Sequence, residues 1–276
     1  MAHESIDGIV IRVRDTGDRD RYLSVLTAEK GRITMLSKGS LSLKGPQRAV
    51  SQLYTYGNFE YYTKGTLPIL KGGSSIQNFY ALSMDIDRLN LATYLCDVAG
   101  EVSDEGEEAG ELLRLLLNSL YAISRDLYPY ELIKGAFEFR VAAISGYLPD
   151  LSECCRCGAD MSEVFYLDVM NGSVLCESCL HQRVPNHVRA GSYDELREAE
   201  ILCPISPAVR AALYYCIHAP IERIFSFDLK DREDLLSFSK TAQTYLLSHL
   251  GRGFDSLQFY QSMREGKSLS DKGTKL

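Results

Sequence analysis

No stretch of the sequence is apolar enough to cross a bilayer. The longest uncharged run, residues 72–84, has 13 residues and several polar side chains, against the roughly 20 apolar residues a membrane helix requires. The first 21 residues carry charges throughout and lack the apolar segment and small-residue cleavage site of a secretory signal. Both absences point to the cytoplasm, where thiols stay reduced. An excess of positive charge is missing as well: 30 Lys and Arg stand against 37 Asp and Glu, for a net charge of −7. Taken over the whole chain, that balance argues against a polyanion-binding protein. HExxH, GxGxxG and GxSxG are all absent, which removes the usual marks of zinc proteases, dinucleotide enzymes and serine hydrolases. A GKS at residues 266–268 imitates the end of a phosphate loop, but Gln261 stands where that loop needs its first glycine. No enzymatic activity is expected.

What is present is an ordinary globular composition, 45% apolar and 24% charged over 276 residues, enough for two or three small domains. Four of the eight cysteines form two Cys-x-x-Cys pairs, Cys154 with Cys157 and Cys176 with Cys179, separated by 18 residues. That spacing fits a tetrahedral four-thiolate zinc site. Between the pairs, residues 165–170 and 173–175 read as two short strands joined at Asn171-Gly172, a strong hairpin signal. The expectation is a zinc ribbon over residues 151–185, with one Zn2+ as its local core. Zinc binding contributes about 10–16 kcal/mol in small finger peptides. Four thiolates leave no position for an activated water, so the metal is expected to be structural. Cys155 and His181 are the alternative ligands within reach. Cys96, Cys203 and Cys216, set among apolar neighbours, are expected in the core.

The charge is unevenly placed. Residues 1–80 hold eleven Lys and Arg against seven Asp and Glu, whereas the remainder holds 19 against 30. Such asymmetry suggests one polyanion-binding domain on an acidic body. The basic part reads as five strands, the first with Ile9, Ile11 and Val13 on one face, the fourth over residues 51–62 and the fifth over 67–78. Five closely spaced strands in a domain of this size favour an OB-fold barrel over residues 1–80. The loop between the third and fourth strands carries Lys38, Lys44 and Arg48 around Gly39, Gly45 and Pro46 without an acid. With Arg12, Arg14 and Arg32, and with Tyr54 and Tyr56 as base-stacking rings, these residues are the expected DNA-binding set. Nothing resembles a base-reading helix, so little sequence preference is expected.

Helical periodicity covers residues 81–150 and 186–264, so the ribbon is expected as an insertion in one helical domain. The polar tail, residues 265–276, is expected to be disordered. The fold class is therefore multidomain α+β: an OB-fold barrel, a helical domain and an inserted four-cysteine zinc ribbon. His218 and His249 lie within apolar helical patterns and read as packing or cap residues.

The order of parts, together with FEFRVAAISGYLPDLSECCRCG at 137–158, SKG at 37–39, HLG at 249–251 and SLQF at 256–259, resembles the RecO family of bacterial recombination mediators over almost the whole chain. The resemblance implies a non-enzymatic protein that binds single- and double-stranded DNA and anneals complementary strands. It also implies work with RecR to load RecA recombinase onto DNA coated by single-strand-binding protein. Docking of that protein's acidic, apolar C-terminal tail would need cations on the helical body, for which Arg210 and Arg223 are the candidates. A second reading is an adaptor whose ribbon and barrel hold only proteins.

Overall fold

The computed structural model describes residues 3–42, 45, 47–181 and 201–273, with side chains to residue 264. Five strands come first: β1 (His3–Thr16), β2 (Asp20–Thr27), β3 (Gly31–Ser37), β4 (Thr55–Lys64) and β5 (Leu67–Asn78). Three helices follow, α1 (Ile86–Glu101), α2 (Gly110–Ser124) and α3 (Tyr130–Ile144). The cysteine region supplies β6 (Asp150–Cys154), β7 (Phe165–Asp168), β8 (Ser173–Cys176) and α4 (Glu177–His181). Then come β9 (Leu202–Ile205), α5 (Pro207–His218), α6 (Arg232–Leu250) and α7 (Asp255–Gly273). Among the described residues no helix is long and apolar enough to cross a membrane.

The five strands close into a barrel in the order β1-β2-β3-β5-β4, with β4 returning to β1 and β3 parallel to β5 at Leu36–Ile69 and Ser37–Leu70. A bulge between Val10 and Arg12 on β1 corrects the expected inward face. One inserted residue reverses the alternation. Ile6 and Val10 point into the core, Val13 packs against it, and Ile11 lies outside, against Gly100 of α1. The fourth strand begins at Thr55 rather than 51.

The chain divides into two compact units, Met1–Leu127 with Gly253–Leu276, and Tyr128–Arg252. The single helical domain expected from periodicity is thus two groups of helices. In the first unit α1 packs with α7, Tyr94 meeting Phe254 edge-on at 5.8 Å. In the second, α3 packs on α6, and the ring of Phe238 leaves no room for a side chain at Gly135. Periodicity marks a buried face without naming what buries it. The helix ends follow local rules: Asp85 caps α1, Ser206 caps α5 with Pro207 at its first position, and α6 stops at left-handed Gly251. At the C-terminus α7 continues to Gly273, through residues expected as a disordered tail.

In the second unit β6-β8-β7-β9 form one sheet. The β7–β8 hairpin turns at Gly172, whose φ is 58°. β9 lies beyond the expected ribbon boundary at 185 and pairs antiparallel with β7. The ribbon is therefore extended by an edge strand from the following segment, and Cys203 on that edge is only half-buried. Cys96 and Cys216 are fully buried.

Candidate metal centre and nucleic-acid interface

Each Cys pair sits where a strand gives way to a turn. β6 ends at Cys154, after which Gly158 N–H donates to the Cys154 carbonyl (2.9 Å) and Cys154 N–H to the Ala159 carbonyl (2.8 Å). β8 ends at Cys176, and α4 starts at the next residue and carries Cys179. The four Sγ atoms lie within 4.8 Å of one another, and Cys157 Sγ stands 3.7 Å from Cys176 Sγ. A tetrahedron with metal–sulfur bonds of about 2.3 Å has edges of about 3.8 Å, so the thiols already have the spacing of a metal shell. The backbone N–H of Cys176 points at Cys154 Sγ (3.4 Å). Burial pushes the Cys154 thiol up, but N–H donors from Cys176, Arg156 and Cys157 outweigh it and hold the group at about 6. Cys179 moves the other way, to about 12, through its hydrogen bond with Cys157 and its burial. Arg156 ties the two knuckles by donating to the Cys179 carbonyl (3.1 Å).

The alternative ligands stay outside the cluster. Cys155 is exposed, its N–H bonded to the Val174 carbonyl at 2.9 Å, and His181 is exposed near Glu177. The residues present fit a divalent metal through Cys154, Cys157, Cys176 and Cys179.

Arg210 corrects the expected partner site. Its guanidinium donates to the carbonyls of Leu151 (2.7 Å), Asp160 (2.7 Å) and Ser152, and it lies over the Phe165 ring at 4.2 Å. Its charge is thus directed at the backbone of the ribbon, and it fastens α5 to that sheet. A cleft of about 390 Å³ opens beside it, lined by Leu151, Ser152, Pro207, Arg210, Ala211 and Tyr214. Arg223 is exposed on the turn after α5, and its carbonyl accepts from Tyr215 Oη at 2.8 Å.

On the barrel, the loop between β3 and β4 is held by its own polar groups. Gln47 Nε2 donates to the carbonyls of Leu70 and Lys71 (both 3.0 Å), and Ser37 Oγ donates to Gln47 Oε1 (3.0 Å). Gly39 N–H donates to Asp20 (2.8 Å), and Leu41 N–H to the Arg19 carbonyl (3.0 Å). These bonds bring the loop, the β1–β2 turn and β5 together. Arg19, Lys38, Arg48 and Lys71 are gathered at that end of the barrel, all exposed and without a carboxylate partner among the described residues. Arg14, over the Tyr22 ring at 5.2 Å, is exposed on the same half of β1. Lys44 lies outside the described residues.

Sequence reasoning missed Arg19 and Lys71, since no local pattern tells which distant cations a loop will meet. Gln47 was equally silent, a lone amide in a polar loop.

Other expected contacts are corrected. Tyr54 is 1% exposed, bonded to Thr93 Oγ1 at 2.8 Å, and burial drives its phenol well above the usual range. It cannot stack on a base. Tyr56 is half-buried, and burial together with Asp7 and Glu29 raises its phenol, which puts it in a negative field. Arg12 is paired with Asp97 of α1 at 2.6 Å. Arg32 sits at the far end of β3, beside the β2–β3 turn. The structure thus brings together Lys38 and Arg48, with Arg14 nearby, and leaves Arg12, Arg32, Tyr54 and Tyr56 elsewhere.

Known proteins match the chain in the same order of parts. Residues 1–79 match the family model described as Recombination protein O N terminal, and residues 83–258 match Recombination protein O C terminal. A DNA repair protein RecO of Acetivibrio thermocellus is 29% identical over 264 residues, covering 95% of this chain and 98% of that protein. One from Symbiobacterium thermophilum is 30% identical over 183 residues (65% and 72%), and one from Halalkalibacterium halodurans 25% over 244 (85% and 94%). With both family regions matched in sequence order and nearly full-length relatives beside them, the chain belongs to the RecO family of DNA repair proteins.

Proposed function

We propose that this protein is a DNA-binding recombination mediator without enzymatic activity, whose barrel holds single-stranded DNA at the end formed by Arg19, Lys38, Arg48 and Lys71. The observation that carries this reading is the gathering of four exposed, unpaired cations by loop hydrogen bonds in a chain of net charge −7. Such a group follows a phosphate backbone without reading its bases. The strand order β1-β2-β3-β5-β4 with parallel β3 and β5 supports an OB-fold, an architecture suited to single strands. Double-stranded DNA binding, strand annealing, a partnership with RecR and the loading of RecA are part of the same proposal, which family membership supports. Docking of the single-strand-binding protein's tail belongs to the same reading. With Arg210 engaged by the ribbon, the exposed Arg223 is the remaining candidate cation for it. The four-cysteine centre takes Zn2+ as a structural ion, which when bound cross-links β6, β8 and α4.

Fluorescence anisotropy with labelled oligothymidylate across a salt series tests the central point. Binding that weakens steeply with salt and is lost when Lys38, Arg48 and Lys71 are changed to Ala is expected. Equal binding by wild type and variant would refute the site.

A further inference from the structure

The barrel is electrically polarised along its β2–β3 hairpin. At one end Asp20 and Ser37 adjoin the basic loop. At the other, the turn after β2 is covered by the loop between α1 and α2. Gly106 N–H donates to the Lys30 carbonyl (3.0 Å), Ala109 N–H to the Ala28 carbonyl (2.8 Å), and Glu105 bridges to Gly31. Gly31, at a φ of 58°, lies so close that a Cβ would overlap the Asp104 carbonyl oxygen. The covering loop presents Asp104, Glu105, Glu107 and Glu108, all exposed and without a cationic partner among the described residues. Glu29 is exposed on the turn itself. Of the two cations at this end, Lys30 is already paired with Glu4 and Tyr61, and Arg32 on β3 stands against the five carboxylates.

From residue 20 to residue 27 a strand advances about 23 Å, more than two screening lengths of roughly 8–10 Å in physiological salt. The two ends therefore act on a ligand separately. A polyanion held at the basic end meets four fixed carboxylates if it continues along the hairpin.

We propose that the α1–α2 loop is an electrostatic fence that closes the β2–β3 end of the barrel to nucleic acid and confines a bound strand to the basic end. The inference rests on the DNA-binding reading above and adds to it the extent and direction of the strand's path. The footprint on the barrel is short, at the low end of the roughly 4–16 nucleotides that OB-folds cover. The strand leaves past the basic loop and β5 rather than along β2 and β3.

The test compares wild type with the variant D104N/E105Q/E107Q/E108Q in the full-length protein, using oligothymidylates of about 6 and about 30 nucleotides. All four side chains are exposed, and the loop's anchoring bonds are backbone bonds, so the fold should persist. Wild type should gain little affinity with length beyond the plateau set by the basic end. The variant should bind the short strand as wild type does and the long strand about threefold more tightly, as expected for removing four screened charges about 10 Å from phosphates. Equal affinity of both proteins for the long strand would overturn the fence. An equal gain on both lengths would also overturn it, since that marks only a change in net charge. The variant K38A/R48A separates the two failures: if it binds the short strand as wild type does, the DNA-binding reading itself fails.

Discussion

Lys38 and Arg48 are ten residues apart in a polar loop, and what makes them one surface is the side chain of Gln47, bonded to Ser37, Leu70 and Lys71. Changing Lys38, Lys44 and Arg48 together to Ala should flatten the logarithmic salt dependence of single-strand binding by about 2, roughly 0.7 for each phosphate that no longer meets a cation. An unchanged slope in the anisotropy titration would place the binding surface elsewhere. Lys71→Ala should lower the slope by the share of one phosphate, although Lys71 lies outside the loop. Arg210 behaves differently. Its three carbonyl acceptors and the Phe165 ring make Arg210→Ala a stability mutation of about 1.5–3 kcal/mol, because it removes a charge-assisted donor from the part-buried Leu151 carbonyl, while the exposed carbonyls of Ser152 and Asp160 turn to water. Thermal melting should show the effect, while binding of short DNA stays unchanged.

At the scale of elements, the proposed Zn2+ is what would hold the cysteine sheet together. β6 and β7 have only five and four residues and β8 has four, too little to hold an isolated sheet. Changing Cys176 and Cys179 to Ser should therefore release Zn2+ and expose the amides of β6, β7 and β8 to hydrogen exchange, while those of the barrel strands stay protected. A Ser variant with native metal content, measured by elemental analysis, would contradict the ligand set. Zinc binding should also weaken on acidification, since each thiol must lose its proton before it can bind. Of these, β7 and β8 were legible because two signals coincided, the paired cysteines and Asn171-Gly172, whereas β6 was not. β9 was not legible, because an edge strand of four residues is recognised only by the strand it pairs with. The bulge at Val10 was hidden for a related reason, since alternation read along one strand cannot reveal an extra residue opposite its neighbour.

For the whole molecule, pH reports on the two buried thiols outside the metal centre. Burial drives Cys96 and Cys216 well above the ordinary thiol range, and Asp97 adds to the effect at Cys96. The unfolded chain releases these protons near pH 8.5, whereas the folded chain keeps them. Stability should be constant with respect to these groups below that pH and fall above it, because there the folded state binds more protons than the unfolded one. Melting temperatures measured from pH 7 to about pH 10 should decline, and the decline should be shallower in a Cys96→Ala, Cys216→Ala variant. The charge pattern is also a property of the whole. Seven acids among the first 80 residues say little until the loop at 104–108 from the acidic body is laid over the β2–β3 turn.

The four cysteines that cluster, the hairpin between them, the five strands of the first 80 residues and the helical character of much of the rest are legible in the amino-acid sequence alone. Each of these follows from local spacing: Cys-x-x-Cys geometry, alternation of two and a helical period. Family membership was legible for the same reason, since it rests on linear motifs. Only the tertiary structure decided which tyrosine is buried, which arginine is already paired, that Arg19 and Lys71 join the basic loop, and that α1 and α3 belong to different units. Those outcomes depend on groups far apart in the chain, and the free energy of a charge or a ring is set by what surrounds it in space.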